Sequence, residues 1–320
     1  MTAAHAPVLL PLAQIDKIIL ITRRTRLEQL VDRFNTKGQA RFYIEHGEGD
    51  FADYQLEHDI YRKSLDQVRR SLDLGLELQV VDRSFIPNFN FSDRDIIVTL
   101  GQDGLVANVA KYSRGRPIVA VNPDPSRFDG VLMPFGVDQA AAAAKRCLEG
   151  HVPVRPVTLA HVQLSDSQEL VAFNDFFIGR RTHISARYRI HLDREEESQI
   201  SSGIIVSTGA GSSGWLSSVF NMADGLARFS GAAHMRRPDL EWEDPRLAFV
   251  VREPFASRQS QANLVAGVVT TDHPLHVESF MPSGGVIFSD GIEEDYLDFN
   301  SGVSAIISCA QTRAHLVQDL

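Results

Sequence analysis

The stretch that decides the fold runs from Asp95 to Gly104 and reads Asp-Ile-Ile-Val-Thr-Leu-Gly-Gln-Asp-Gly. An apolar run ends there in two glycines that enclose an acid, and residues 105–110 repeat apolar side chains at helical spacing. This order predicts a buried strand, a tight loop and the first turn of a helix. N–H groups at such a turn favour anions. Because an acid at a phosphate site holds a metal or takes a proton, the stretch predicts phosphoryl transfer with Asp103 as the catalytic residue.

Strands and helices alternate on both sides of this stretch as far as Gly150. The predicted strands are Lys17–Ile21, Leu76–Val81, Asp95–Leu100 and Pro117–Val121. The predicted helices are Thr25–Phe34, Ile60–Leu74, Gly104–Tyr112 and Val137–Leu148, whereas the pattern of Arg41–Gly49 is ambiguous. This alternation predicts an α/β domain with a parallel sheet and helices on both faces.

The pattern changes after Gly150 to short strands separated by turns. The predicted strands are Val154–Leu164, Leu170–Ile178, His183–Leu192, Gly203–Thr208, Leu247–Val251, Leu264–Val269, Leu275–Ser279, Gly284–Ser289 and Val303–Ser308. Only Gly214–Phe229 looks helical. We therefore expect an α/β domain over 1–150 followed by a β-sandwich domain over 151–320. A return of Thr312–Leu320 to the first domain is an alternative that the pattern leaves open.

Composition narrows the classes of function. The chain has 320 residues, a formal net charge of −9 and 43% hydrophobic residues. These values predict two folded domains and argue against disorder and against non-specific binding to nucleic acid. Cys147 and Cys309 have no second ligand at zinc spacing and suit a reducing compartment, so we expect a cytoplasmic protein. Met1–Gln14 lacks a basic start and reads as a flexible tail, and no stretch is long enough to cross a membrane.

Two polar residues interrupt an apolar segment of the second domain. Asn174 and Asp175 lie between Phe173 and Phe176, where unpaired polar groups would be costly. An amide offers both donors and an acceptor, and a carboxylate offers acceptors, so together they suit a sugar hydroxyl or a base edge. The alternative is a turn or strand end, which the segment alone favours.

A glycine-rich loop follows the strand at Gly203. Residues 207–215 read Ser-Thr-Gly-Ala-Gly-Ser-Ser-Gly-Trp, and Gly209–Gly214 matches the dinucleotide fingerprint G-x-G-x-x-G. That fingerprint belongs in an early strand–helix–strand unit, whereas this loop lies in mid-chain among antiparallel-looking strands. We therefore interpret it as a ligand-contacting loop in which Trp215 offers a stacking face. The alternative is a hairpin connection with a buried Trp.

Another polar loop follows the strand that ends at Val121. Residues 122–127 read Asn-Pro-Asp-Pro-Ser-Arg. Since ligands bind at the carboxyl ends of strands in open α/β sheets, Asn122 and the Gly101–Gly104 loop should share one crevice. Arg127 is a candidate phosphate contact or an ordinary solvated side chain. Ser289-Asp290-Gly291 reads as an ordinary turn and gives no functional signal by itself.

Taken together, these segments resemble the NAD kinase family. Gly101–Gly104 stands where family members carry Gly-Gly-Asp-Gly after a parallel strand. Asn174-Asp175 matches their Asn-Glu pair, and Asn122 matches an Asn that follows the next strand. Thr208–Trp215 matches their Thr-Pro-Thr-Gly-Ser loop, which ends in Ala-Tyr. The matches occur in the family's order, and the resemblance spans Lys17–Ser308.

Some details are closest to the mitochondrial-type branch of that family. They are Asp124–Arg127, Ser201–Gly203, Gly211-Ser212 followed by Trp215, and Arg252–Pro254.

The resemblance implies transfer of a phosphoryl group from ATP or polyphosphate to the 2′-hydroxyl of the adenosine ribose of NAD, giving NADP. It implies Mg²⁺, with Asp103 as a possible ligand, and a homo-oligomer such as a homodimer. The residues expected to bind the phosphate donor are Gly101, Gln102, Gly104, Asn122 and Arg127. The residues expected to bind the NAD substrate are Asn174, Asp175, Thr208, Gly211, Ser212, Ser213 and Trp215.

Several residues depart from the family's pattern. Gln102 replaces the second glycine, and a positive φ there would cost about 1–2 kcal/mol. Asp175 replaces Glu, and Gly209, Ala210 and Gly214 loosen the third loop. These departures leave two other hypotheses: a catalytically silent dinucleotide-binding sensor, and a related lipid or sugar kinase.

Overall fold

The computed structural model describes residues 8–11 and 14–319 and divides the chain into two compact units. The first unit comprises Met1–Arg155 and His315–Leu320, and the second comprises Pro156–Ala314. The first is built on a largely parallel sheet with helices, and the second on two antiparallel sheets. The predicted fold class, an α/β domain followed by a β-sandwich domain, is confirmed.

The first unit contains five helices and eight strands among the described residues, numbered here in chain order. The helices are α1 (Arg26–Phe34), α2 (Lys37–His46), α3 (Phe51–Ser71), α4 (Asp103–Tyr112) and α5 (Ala140–Leu148). The strands are β1 (Val8–Pro11), β2 (Lys17–Thr22), β3 (Glu77–Asp82), β4 (Asp95–Leu100), β5 (Pro117–Asn122), β6 (Phe135–Gly136), β7 (His151–Val157) and β20 (Ala314–Val317). Short 3₁₀ turns cover Arg83–Asn88 and Val137–Gln139.

The sheet of the first unit has the order β1-β7-β20-β5-β4-β2-β3, with β6 beside β5. The pairs β2–β3, β2–β4, β4–β5 and β20–β5 are parallel, and β1–β7 is antiparallel. All six residues of β4 are buried without alternation, as expected for a strand covered on both faces. Because β3 and β4 lie on opposite sides of β2, the order reverses there, and the carboxyl ends of β2 and β4 form the point where such sheets bind ligands.

Helices α3 and α5 pack on this sheet through side chains at helical spacing. Tyr61, Leu65 and Val68 of α3 join Ala143 and Cys147 of α5 in one core cluster with the sheet. The hydroxyl of Tyr61 accepts a hydrogen bond from the N–H of Arg23 at 2.9 Å and donates to the carbonyl of Leu100 at 3.1 Å. The ends of β2 and β4 are thereby tied together next to the Gly101–Gly104 loop.

Glu57 of α3 holds two arginines that follow β2. Its carboxylate is 4% exposed and accepts hydrogen bonds from Nη2 of Arg23, at 3.0 Å, and from Nε of Arg26. Burial raises the pKa of Glu57, but the hydrogen bonds and charges of Arg26 and Arg23 outweigh burial and lower it below its ordinary 4.5. The ionised carboxylate therefore stabilises the native state.

Replacing Glu57 with Gln is expected to lower the free energy of unfolding at pH 7 by about 2–3 kcal/mol, since the largely buried side chain of Arg23 loses the carboxylate that it pairs with and Arg26 loses one of its two. The native pKa is lowered, so the contribution of Glu57 is complete above pH 4.5 and is lost as the pH falls through the lowered value. The stabilities of wild type and Glu57→Gln should therefore approach each other at low pH. Thermal unfolding of the two proteins across pH 3–7 measures this change. Glu45→Gln, which removes an exposed pair with Arg41, is the matched control, with an expected change below about 0.5 kcal/mol. Equal effects of the two substitutions would contradict a stabilising role of the Glu57 carboxylate.

The second unit contains one α-helix, α6 (Trp215–Phe229), and a 3₁₀ turn at Ala210–Ser213 among the described residues. Its strands are β8 (Ala160–Leu164), β9 (Glu169–Ala172), β10 (Asp175–Arg180), β11 (Ala186–Leu192), β12 (Glu195–Ser201), β13 (Gly203–Ser207), β14 (Leu247–Arg252), β15 (Ala266–Val269), β16 (Leu275–Ser279), β17 (Gly285–Ser289), β18 (Ile292–Asp298) and β19 (Ser304–Cys309).

Two six-stranded antiparallel sheets form the sandwich. One has the order β15-β14-β13-β10-β17-β18, and the other has the order β12-β11-β16-β19-β8-β9. Alternate residues of both sheets enter one apolar cluster, to which β10 contributes Phe176 and Ile178, and β11 contributes Tyr188 and Ile190. The sandwich thus buries one face of each sheet, as its alternating sequence requires.

Several predicted elements differ from the structure. Helix α3 begins at Phe51, nine residues before the predicted Ile60, because Asp50 caps it through the N–H of Ala52. The ambiguous Arg41–Gly49 lies largely in helix α2, which Thr36 caps. Strands β12 and β18 were not predicted, because acidic residues dominate their sequences.

In two places where the sequence predicts one strand, the structure has two. Val154–Leu164 divides into β7, in the first unit's sheet, and β8, in the second unit. Leu170–Ile178 divides into β9 and β10, which lie in different sheets. Since a corner between sheets leaves no break in an apolar pattern, periodicity alone did not separate them.

The predicted tail at Met1–Gln14 is wrong at Val8–Pro11, which pairs antiparallel with β7. Residues 1–7 and 12–13 lie outside the described residues. Among the described helices, none combines the length and the apolar character that crossing a bilayer requires.

Candidate functional site

The Gly101–Gly104 loop leads from β4 into helix α4. The N–H of Gly101 donates to the carbonyl of Val121 at 3.3 Å, which draws the loop against the end of β5. A side chain at Gly101 would meet Cδ2 of Leu105 at 2.7 Å, whereas one at the exposed Gly104 would meet nothing within 4 Å. Asp103 and Gly104 occupy the first turn of α4, where no preceding helical carbonyl can accept their N–H groups. These N–H groups are therefore available to an anion.

Gln102 does not strain this loop. Its φ of −118° and ψ of 168° are ordinary extended values, which any residue adopts. The expected cost of a positive φ at this position is therefore wrong. Gln102 makes no capping hydrogen bond with its side chain, so its amide is not committed to the helix end.

One carboxylate oxygen of Asp103 accepts a hydrogen bond, and the other is available to a ligand. Its Oδ1 accepts a hydrogen bond from the N–H of Leu132 at 2.8 Å. Leu132 follows the loop after β5, so this contact joins the two loops that were expected to share a crevice. The negative charge lies in the first turn of α4, where the helix dipole stabilises it. Within the described part of the chain, Oδ2 of Asp103 has no hydrogen bond.

Asn122 shapes the loop after β5 instead of offering its amide to a ligand. It is 3% exposed, its Nδ2 donates to the carbonyl of Phe128 at 2.9 Å, and its Oδ1 accepts from the N–H of Asp124 at 3.0 Å. Gly130 adopts a φ of +64°, and a side chain there would come within 2.6 Å of Nδ2 of Asn122. The expectation that Asn122 binds the phosphate donor directly is therefore replaced by a supporting role.

Arg127 is held within an ion-pair network. Its guanidinium donates to Asp53 through Nη2, and its Nε lies 4.0 Å from Oδ2 of Asp124. Its Nη1 is buried and has no hydrogen-bond partner among the described residues. The side chain is thus not the ordinary solvated arginine of the alternative, and its contact with the donor phosphate stays a prediction.

Metal binding by the protein alone has little support. Across residues 8–11 and 14–319, no group of three or more His, Cys, Asp and Glu side chains is placed to hold a metal ion. Mg²⁺, however, is commonly bound by one or two carboxylates together with substrate phosphates and water. The uncommitted Oδ2 of Asp103, beside N–H groups suited to phosphate, fits that mode of binding.

Asn174 and Asp175 lie at a strand boundary, not inside a strand. Strand β9 ends at Ala172, and β10 begins at Asp175. The prediction of an interrupted strand is therefore wrong, and the alternative of a turn or strand end is right. Both residues lie on the wall of a cavity of about 320 Å³.

The glycine-rich loop packs tightly behind this boundary. A side chain at Gly209 would lie 1.8 Å from the carbonyl oxygen of Glu241, and one at Gly211 would lie 2.1 Å from that of Asn174. Both positions therefore require glycine, and the expectation of a loosened loop is wrong. Because β13 is antiparallel to its neighbours, the loop is also not a dinucleotide fingerprint of the Rossmann type.

Thr208 supports the cavity from behind. It is fully buried, and its hydroxyl donates to the carbonyls of Phe173, at 2.6 Å, and Asn174, at 3.2 Å. It also accepts from the N–H of Gly211 at 3.1 Å. Thr208 and Ser212 do not line the cavity, whereas Gly211, Ser213 and Trp215 do. Thr208 thus supports the backbone next to the cavity, whereas direct contact of Thr208 and Ser212 with substrate, which the sequence predicted, has no support from the cavity lining.

Trp215 begins helix α6 and forms one side of the cavity. Its ring stacks on Phe177 with centroids 5.6 Å apart and planes inclined by 16°, and the guanidinium of Arg252 lies 5.5 Å from its ring. Trp215 remains 36% exposed, so the alternative of a buried Trp is wrong. An aromatic face fixed in this way is suited to stacking against a planar group.

Asp175 is the electrostatically unusual group of the cavity. It is 7% exposed, and burial, with the negative charge of Asp290 in addition, raises its pKa to about 7. Near neutral pH its carboxyl group can both accept and donate a hydrogen bond. Perturbed acids in cavities are frequent at functional sites.

Sequence reasoning missed Asp290 and Gly291, which also line this cavity. Asp-Gly between two strands is a standard hairpin signal, and that is the role it has between β17 and β18. Nothing local in the sequence links position 290 to position 174.

Comparison with known proteins gives consistent relatives, although no family model matches the chain. The chain is 26% identical to mitochondrial NAD kinase 2 of Rattus norvegicus, over 63% of this chain and 64% of that protein. It is 28% identical to an NAD kinase of Saccharolobus islandicus, over 48% of this chain and 55% of that protein. The chain thus spans just over half to just under two thirds of these relatives' lengths.

Two solved structures share the fold. One is an NAD kinase from Archaeoglobus fulgidus in complex with ATP, with a TM-score of 0.55, 16% identity, and coverage of 94% of this chain and 93% of that one. The other is yeast NADH kinase complexed with NADH, with a TM-score of 0.56, 14% identity, and coverage of 97% and 84%. At these identities the structures establish the fold alone. The chain is thus similar in sequence to NAD kinases over about half to two thirds of its length, and it shares the fold of solved NAD and NADH kinases.

Proposed function

We propose that this protein is an NAD kinase, which transfers a phosphoryl group to the 2′-hydroxyl of the adenosine ribose of NAD and so produces NADP. The observation that carries the proposal is the carboxylate of Asp103. It lies among unpaired N–H groups at the start of α4, with Oδ1 held by Leu132 and Oδ2 uncommitted. This is the arrangement expected of a group that acts on an oxygen next to a phosphate.

In the proposed reaction the ribose 2′-oxygen forms a bond to the terminal phosphorus of the donor. The bond from that phosphorus to its bridging oxygen breaks, and ADP leaves when ATP is the donor. Oδ2 of Asp103 orients the 2′-hydroxyl and accepts its proton. The N–H groups of Asp103 and Gly104 neutralise charge on the transferred phosphate, which is the main task in phosphoryl transfer.

Mg²⁺ would be held by Oδ2 of Asp103 together with the donor phosphates, as an alternative use of that oxygen. Its chemistry there is neutralisation of phosphate charge. The two uses of Oδ2 differ in their response to added Mg²⁺.

The cavity of the second unit is the proposed binding site for part of the dinucleotide. Its volume of about 320 Å³ lies at the lower end of the range for small-molecule sites. Asn174 and Asp175 offer hydrogen bonds to ribose hydroxyls or a base edge, and Trp215 offers an aromatic face. Gly211 and Ser213 also line the cavity.

ATP is the proposed donor, and support comes from the A. fulgidus NAD kinase that was solved with ATP. Polyphosphate remains the second candidate donor. The test incubates purified protein with NAD, Mg²⁺ and either donor, and detects NADP with an NADP-specific dehydrogenase. NADP formation with at least one donor is expected, and NAD binding without NADP formation with either would contradict the proposal.

Two features suggested a catalytically silent sensor, namely Gln102 and the altered third loop. Gln102 has ordinary backbone angles, and Gly209 and Gly211 fit close contacts, so neither feature favours that alternative. No observation favours a lipid or sugar kinase.

A homodimer and a cytoplasmic location complete the proposal. The face of α6 formed by Met222, Leu226 and Phe229 would be covered in such a dimer, since these side chains are 50%, 60% and 92% exposed. Cys147 and Cys309 are both buried and unpaired, which suits a reducing compartment.

A further inference from the structure

The carboxylate of Asp290 contacts the backbone that precedes β10. Its Oδ2 accepts the N–H of Phe173 at 3.0 Å, and its Oδ1 accepts those of Asn174, at 2.5 Å, and Asp175, at 3.3 Å. In return, the N–H of Asp290 donates to the carbonyl of Asp175 at 2.9 Å. One turn thus binds three consecutive residues that are more than 110 positions away in sequence.

The hairpin itself does not require this carboxylate. Asp290 and Gly291 have φ values of 55° and 69°, which is the left-handed pair that Asn-Gly adopts equally well. Asn would therefore serve the turn, but its amide cannot accept three N–H groups on two oxygens. The choice of Asp is explained by the N–H groups of Phe173–Asp175, not by the turn.

The same residue also adds to the electrostatics of the cavity. Among the described residues that line the cavity, Asp175 and Asp290 are the two ionisable groups. The other lining residues are Asn174, Gly291 and members of the 210–215 loop. Burial raises the pKa of Asp175, and the negative charge of Asp290 beside it raises it further.

We propose that Asp290 is a positioning residue, whose carboxylate fixes the backbone of Phe173–Asp175 and thereby aims Asn174 and Asp175 into the dinucleotide cavity. This inference rests on the proposed function of that cavity. Asp290 acts through Asn174 and Asp175 and needs no contact of its own with the reacting atoms.

Two substitutions separate the carboxylate from the turn. Asp290→Gly keeps the left-handed backbone and removes the carboxylate, and with it the three contacts to the N–H groups of Phe173–Asp175. It is expected to raise KM for NAD about tenfold or more, with kcat and KM for ATP changed less than about threefold, since small misplacements of binding groups are costly. Asp290→Asn keeps one acceptor oxygen and should raise KM for NAD by less than Asp290→Gly.

The rise in KM for NAD without a matching fall in kcat is the readout that a merely structural role would not give, and titration of Asp175 tests its electrostatic coupling to Asp290 separately. In full-length protein with ¹³C-labelled aspartate, the Asp175 carboxyl should titrate at lower pH in Asp290→Asn than in wild type. The fixed negative charge beside it is then absent. Asp272→Asn, on an exposed turn of the same unit, is the charge-matched control and should change neither KM nor titration.

The two proposals fail in different ways. Wild-type protein that makes no NADP contradicts the kinase proposal, whereas the titration of Asp175 still tests its coupling to Asp290. If the wild type is active and Asp290→Gly keeps its KM for NAD, the positioning role is wrong. Equal rises in KM for NAD and for ATP would also overturn it, because they would indicate a general loss of structure.

Discussion

Replacing Asp103 with Asn is expected to lower kcat for NADP formation by about 10²–10⁴-fold, the usual contribution of a positioned general base. The amide oxygen of Asn can still accept the N–H of Leu132, so the loop and the thermal unfolding midpoint should be preserved. Only the ability to take the 2′-hydroxyl proton, or to bind a cation, is removed. The coupled NADP assay measures the loss, and circular dichroism checks the fold.

Asp66→Asn is the matched control, because Asp66 is an exposed acid on α3 of the same unit. It should keep wild-type activity. Titration with Mg²⁺ separates the two uses of Oδ2 of Asp103: recovery of activity at high Mg²⁺ indicates metal binding, and no recovery indicates proton transfer. Activity within threefold of wild type in Asp103→Asn would contradict both.

Replacing Gly211 with Ala is expected to have the second large effect. The added methyl group would lie 2.1 Å from the carbonyl oxygen of Asn174, which is backbone and cannot rotate away. The loop or Asn174 must shift, at a cost of about 1–3 kcal/mol in the free energy of unfolding. A shift of either one displaces a wall of the proposed NAD cavity, so KM for NAD should rise about tenfold or more. Thermal unfolding and steady-state kinetics measure the two effects.

Gly225→Ala provides the control for this change. Gly225 lies within helix α6, and a side chain there would meet nothing within 4 Å. Ala should therefore stabilise the protein by about 0.5–1 kcal/mol and leave KM for NAD unchanged. Tight NAD binding in a stable Gly211→Ala protein would show that the loop does not position Asn174.

Local pattern predicted those parts of the fold that depend on local physics. Asp95–Leu100 is a strand buried on both faces, and its continuous apolar run predicts this burial. Strands β12 and β18 escaped prediction because Glu and Asp are frequent in both sequences, which hides an apolar alternation. The split of Leu170–Ile178 into two sheets escaped as well, because a change of sheet is decided by distant partners.

The candidate site follows the same division. Asp103 was predicted because glycines, an acid and a helix start lie together in the sequence. The supporting roles of Asn122, Thr208 and Asp290 depend on where their polar atoms find partners. Asp290 contacts residues more than 110 positions away, so only the folded chain reveals it.

The most direct measurement follows a labelled phosphoryl group. The protein is incubated with Mg²⁺, ATP labelled at the terminal phosphate, and either NAD or an NAD analogue that lacks the 2′-hydroxyl of the adenosine ribose. A kinase of the proposed kind gives labelled NADP from NAD and no labelled dinucleotide from the analogue. Label on the analogue, or none on NAD with ATP or with labelled polyphosphate, would contradict the proposed function.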